Sequence, residues 1–85
     1  MFTPLYSKRF LKQIKKFPKR EQIKVLDKIS ITIPDPRKFS IKLESTNPPV
    51  YKLRIGEYRV FFELNNEKKT IKITDVLRRT NQTYH

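Results

Sequence analysis

Cysteine and tryptophan are absent from the 85 residues, glycine and histidine occur once each, and acids are scarce, 8 Asp and Glu against 20 Lys and Arg. Without Cys there are no disulfides, thiolate metal sites or Cys nucleophiles. A single His excludes a His-built metal cage and most catalytic triads. No apolar run approaches the ~18 residues of a membrane span, and the start Met1-Phe2-Thr3-Pro4 lacks the basic-then-apolar pattern of a signal peptide. These absences predict a soluble, cytoplasmic protein without metal or cofactor. The length predicts one small domain, residues 1–85, near the size at which a single core stops sufficing without staples. Cation is what the chain has in excess. Its formal net charge is +12 and its pI about 10.2, which favours a polyanionic partner, nucleic acid ahead of acidic proteins or anionic membranes.

Hydrophobic periodicity divides the chain into short elements. Phe2 to Tyr6 alternates weakly and predicts a strand, with Pro4 better suited to an edge than to a central ladder. Ser7 is an N-cap candidate. Behind it Phe10, Leu11, Ile14 and Phe17 share one helix face. Pro18 stops that helix and starts a second, whose stripe reads Ile23, Leu26, Ile29 and Ile33 with Val25 at its border, up to Pro34-Asp35-Pro36. Residues 34–50 read as irregular, with Phe39 to Leu43 a short strand or an extended crossover. From Val50 the period becomes two. Gly56-Glu57 is a two-residue connection whose Gly supplies the positive φ of a type II′ hairpin. Tyr58 to Leu64 is the partner strand, and a third runs from about Lys69 to Leu77. The expected fold is α+β: a two-helix hairpin packed on one face of a small, mainly antiparallel four-stranded sheet, in the order β-α-α-β-β-β.

A two-residue turn fixes register. It sets Arg54 against Arg59, Leu53 against Val60, Lys52 against Phe61 and Tyr51 against Phe62. A second hairpin closed around Asn66-Glu67 or Asn65 to Lys68 sets Phe62 against Ile71, Val60 against Ile73, Phe61 against Lys72 and Arg59 against Thr74. Tyr51, Leu53, Ile55, Val60, Phe62, Leu64, Ile71 and Ile73 then form a face to pack on the helices. The other face holds Lys52, Arg54, Arg59, Phe61, Lys72 and Thr74, with Glu63 on it by parity and Asp75 on the core side. Directly opposed arginines repel. An anion between them offsets that repulsion, and phosphate suits guanidinium geometry. Phe61 in a basic patch offers a surface on which a nucleobase can stack.

The run Val50-Tyr51-Lys52-Leu53-Arg54-Ile55-Gly56-Glu57-Tyr58-Arg59-Val60-Phe61-Phe62 resembles the signature hairpin of the RelE/ParE toxin superfamily. The element order, length and charge are similar too, and Val76-Leu77-Arg78-Arg79 followed by Tyr84 resembles its C-terminal segment, with Leu77 where that family more usually has Gly. The resemblance implies a compact toxin inhibited by an acidic, RelB-like antitoxin. Its RelE branch implies a metal-independent endoribonuclease that cuts mRNA in the ribosomal A site, a ribose 2′-hydroxyl attacking the adjacent phosphate. Its ParE branch implies a DNA gyrase inhibitor, and a non-catalytic RNA-binding relative is a further alternative. Carried over by position, the catalytic set is Lys52, Arg54, Arg59, Arg79 and Tyr84. Phe61, Lys72, Arg78, Lys12 and Lys16 are expected to bind RNA, the last two because residues 8 to 28 hold nine Lys or Arg against Glu21 and Asp27. Parity with Lys72 puts Arg78 on the basic face and Arg79 off it, the reverse of the family pattern. A strand end or bulge near Leu77 would re-aim them, and Arg79 is favoured. Arg59 and Arg79 are expected to hold the developing phosphorane charge. Lys52 or Arg54 would orient the ribose, with Lys52 also a candidate base, and Tyr84 would stack on a base or position the 2′-hydroxyl. Glu44, Glu63 and the C-terminal His85 are further candidate acid–base groups.

Overall fold

The computed structural model describes residues 2–43 and 48–79. Glu44, Tyr84 and His85, named above, lie outside them. The elements are β1 (Thr3–Tyr6), α1 (Lys8–Lys15), α2 (Lys19–Thr32), a 3₁₀ turn (Pro36–Lys38), β2 (Ser40–Lys42), β3 (Val50–Ile55), β4 (Tyr58–Asn65) and β5 (Thr70–Arg78). The strands form one mixed sheet in the order β1-β5-β4-β3-β2. The pair β1–β5 is parallel and the rest are antiparallel. The sheet thus has five strands, one more than the sequence suggests. The addition is Ser40 to Lys42, within the stretch that reads as a short strand or a crossover; only three residues pair, along β3, and Ile41 points to solvent, 66% exposed.

The helices cover one face. All eight residues assigned to that face are buried, joined by Tyr58 and Val76 from the sheet and by Phe10, Ile14, Val25 and Ile29 from the helices. Phe62 stacks on Tyr51 with centroids 5.5 Å apart, and Tyr58 meets Phe17 at 4.7 Å. Ser7 caps α1 by accepting from the Phe10 amide at 3.0 Å. Helix α2 is rolled from its expected orientation. Val25, Ile29 and Thr32 face the sheet, while Ile23 and Leu26 stay 53% and 41% exposed. The stripe is a regular i, i+4, i+7 row once Thr32 counts as an inward residue. It can be one because its hydroxyl donates to the Lys28 carbonyl at 2.7 Å, leaving no polar atom unsatisfied.

Gly56 takes φ +58° at the β3–β4 turn, and the register of that hairpin is the expected one, with Arg54 opposite Arg59. The β4–β5 register differs. Phe62 pairs with Ile73, Glu63 with Lys72 and Leu64 with Ile71, a shift of two residues. The loop is Asn66 to Lys69, with Asn65 taking the Lys68 amide at 2.9 Å and Lys69 adopting φ +54°. A non-Gly residue in that region costs about 1–2 kcal/mol, so the sequence carries no mark of the turn.

Beyond Ile73 the ladder slips by one more. Phe61 pairs with Asp75 and Val60 with Val76, leaving Thr74 as the extra residue of a β-bulge. The bulge is held from the β1–α1 junction, where β1 has ended and can no longer pair with β5. The Ser7 amide donates to the Ile73 carbonyl at 3.0 Å, and its hydroxyl to the Thr74 carbonyl at 2.7 Å. The Gln13 side-chain oxygen takes the Val76 amide at 2.8 Å. The Thr74 hydroxyl donates to the Phe61 carbonyl at 3.2 Å.

Candidate functional site

The sheet face away from the helices is open, and register arranges its side chains in rows. One row is Arg54, Arg59 and Leu77 across β3, β4 and β5. The next is Ile41, Lys52, Phe61 and Asp75, and the third Val50, Glu63, Lys72 and Leu5. Successive rows are two residues, about 6.8 Å, apart along β3 and β4. Arg54 is exposed, while Lys52, Arg59 and Phe61 are half-buried.

The bulge decides the order of the two arginines that end β5. It adds one residue after Ile73, so Val76 faces the core and Leu77 the open face. Alternation then places Arg78 on the core side and Arg79 on the open side. Arg78 pairs with Tyr58, whose phenol it acts on. Burial, and next the Glu21 carboxylate, push that phenol above its usual pKa, against the pull of Arg78. The Arg79 amide donates to the Glu57 carbonyl at 2.7 Å, continuing the ladder one residue. Parity counted from Lys72 therefore assigns Arg78 and Arg79 to the wrong sides. Asp75 lies on the open side and pairs with Arg9 at 3.3 Å, not on the core side by Tyr58.

Three other expectations about this face change with the register. Arg59 is opposite Leu77, not Thr74. Phe61 lies between Lys52 and Asp75, not between two lysines. Lys72 is opposite Glu63, in the third row. The structure therefore brings Lys52, Arg54, Arg59 and Phe61 into adjacent rows with Arg79 at the end of β5, and sets Lys72 further along. Lys12 and Lys16 are exposed in the helical layer.

Beside the cation row lies an open cavity of about 520 Å³, lined by Ser7, Arg9, Val50, Phe61, Glu63, Lys72, Thr74 and Asp75. Sequence reasoning missed Ser7 and Arg9, which the β1–α1 junction delivers to the edge of β5. Only the parallel β1–β5 pairing brings them there, and no local pattern encodes that pairing.

A family model of the ParE toxin of type II toxin–antitoxin systems (parDE) matches residues 5–83. The chain belongs to the RelE/ParE superfamily of toxins. Solved members of this superfamily share its fold. RelE in the RelE–RelB complex of the archaeon Pyrococcus horikoshii is 30% identical with TM-score 0.79, over 94% of this chain and 97% of that one. The Mycobacterium tuberculosis toxin–antitoxin complex RelBE2 contains a match at 20% identity and TM-score 0.82, over 92% and 98%. Isolated Escherichia coli RelE matches at 19% and 0.81, over 98% and 89%; at that identity the likeness shows the fold. No curated protein matches significantly. The superfamily makes this chain a toxin of the type II toxin–antitoxin kind. Among the described residues no helix is long and apolar enough to cross a membrane.

Proposed function

We propose that this toxin is a ribosome-dependent mRNA endonuclease of the RelE type, cutting in the A site and acting in the cytoplasm. The observation that carries the reading is the Arg54–Arg59 row. Two guanidiniums directly opposed on a half-buried face destabilise the sheet, and a bound phosphate turns the same arrangement into a clamp. Lys52 and Phe61 in the next row would meet the adjoining ribose and base. In-line attack of the ribose 2′-hydroxyl on the phosphate breaks the bond to the next nucleotide's 5′-oxygen, giving a cyclic phosphate and a free 5′-hydroxyl. Arg59 and Arg79 would stabilise the extra charge of the phosphorane, an electrostatic role worth about 10²–10³ in rate per donor. Lys52 would take the attacking proton, and the leaving 5′-oxygen would gain its proton from solvent. Tyr84 is proposed to position the ribose or stack on a base.

The partner proposed is an acidic, RelB-like antitoxin, since the Pyrococcus horikoshii relative is found with RelB and a +12 chain favours an anionic inhibitor. A second reading, inhibition of DNA gyrase, is favoured by the matching family model, which describes ParE toxins. Primer extension on mRNA with translating ribosomes separates the two. Site-specific A-site cuts that fall at least about a hundredfold in Arg59→Ala are expected. No cuts, with inhibition of gyrase supercoiling instead, would select the second reading.

A further inference from the structure

The cavity beside the cation row sets carboxylates beside its cations, Arg9 and Lys72. In a chain with 8 acids against 20 bases, two carboxylates, Glu63 and Asp75, line this one space. Asp75 is engaged, taking Arg9 at 3.3 Å and the Gln13 amide at 3.3 Å. Glu63 is not. It sits opposite Lys72 on β5, yet the one ion pair among the described residues is Arg9–Asp75. A carboxylate is acceptor-only, so whatever Glu63 meets must present donors. Two residues along the same strand, about 6.8 Å away, Phe61 holds a half-exposed ring on the same face, a stacking platform. The cavity, at about 520 Å³, is of the size that takes a small organic ligand.

We propose that this cavity is a nucleobase subsite that selects guanine. The inference rests on the RNA-cleaving reading above, whose substrate it specifies. A base stacked on Phe61 turns its Watson–Crick edge toward Glu63. Guanine offers two adjacent donors there, N1–H and the N2 amino group, and meets one carboxylate bidentately. Cytosine and adenine offer a single amino group beside a ring acceptor. Uracil offers one N–H flanked by two carbonyls that a carboxylate repels. Phosphates on either side of the base fall to the Arg54–Arg59 row at one end and to Lys72 at the other.

Two measurements test this. In amide NMR titrations of the full chain, GMP is expected to shift Phe61, Glu63 and Thr74, whereas UMP and inorganic phosphate shift only the cationic positions, the Arg54–Arg59 row and Lys72. Glu63→Gln should reduce the GMP preference about tenfold without changing the fold. Equal shifts from GMP and UMP at those residues, or a preference that survives Glu63→Gln, overturn the subsite. In ribosome-bound cleavage, Glu63→Gln should lower cutting at the guanine-containing codons to the level of the others, so that the preference for guanine at one codon position is lost. Cutting whose base preference is the same in the variant refutes the subsite and leaves the nuclease reading intact. GMP-selective shifts in a protein that cuts nothing support the subsite and refute the nuclease reading.

Discussion

Arg54 and Arg59 face each other across β3 and β4, and this residue pair links stability to function. Cross-strand like charges cost a few tenths to ~1 kcal/mol. Removing either should therefore stabilise the folded toxin. We expect Arg54→Ser and Arg59→Ala to raise stability in urea by up to ~1 kcal/mol at low salt. The gain should shrink as ionic strength rises, because these side chains are not deeply buried and salt screens them. A loss of stability in both variants would mean that their aliphatic stems are holding the sheet by packing. The pair is legible from sequence for a single physical reason. Gly56 provides the positive φ that closes the hairpin in two residues, and a two-residue turn leaves one register. Arg78 and Arg79 are the counter-example. Counting parity from Lys72 requires an unbroken ladder, and the extra Thr74 breaks it.

At the scale of elements, that bulge has a consequence that can be measured. Deleting a residue from a central strand normally flips every side chain beyond it. Thr74 is an exception, because it is the unpaired residue between the Phe62–Ile73 and Phe61–Asp75 pairs. Its removal leaves Val76 facing the core and Leu77 facing out. The deletion should lose the hydrogen bonds from the Ser7 hydroxyl and to the Phe61 carbonyl, about 1 kcal/mol each. We expect the deletion variant to melt cooperatively several degrees lower, whereas deletion of Lys72 should abolish the transition. If both deletions unfold the protein, the bulge geometry is required for folding itself.

The same scale explains what the sequence could and could not convey about the fold. The helices, the β3–β4 hairpin and the core face follow from local periodicity. The fifth strand, the roll of α2 and the closing loop of β4–β5 do not. Ser40–Lys42 is a strand only because β3 is beside it. Thr32 is a core residue only because its hydroxyl turns back on its own helix. Lys69 takes a conformation that its side chain disfavours. Ser7 and Arg9 reach the cavity through the β1–β5 pairing, a contact between the two ends of the described chain.

For the whole molecule, the question is how a charge of +12 is divided between docking and chemistry. The open face holds Lys52, Arg54, Arg59 and Arg79, while Lys12 and Lys16 lie in the helical layer. If the four cations in and next to the arginine row, without Lys72 further along, hold a single strand, counterion release sets the salt dependence of binding. At about 0.7 per phosphate neutralised, log Kobs should fall with log salt at a slope of about −3 on a short single-stranded oligonucleotide. Arg54→Ser should make the slope shallower by about 0.7. Lys12→Ala with Lys16→Ala should leave it unchanged, yet weaken association with ribosomes, where a duplex-rich anionic surface can meet the helices. Fluorescence anisotropy across a salt series checks both arms. A slope twice as steep on the free oligonucleotide, relieved by the helix variants, would mean that the strand spreads over the whole cationic surface. The open face would then lose its claim to be where RNA is held, since a diffuse surface cannot set one phosphate between two guanidiniums.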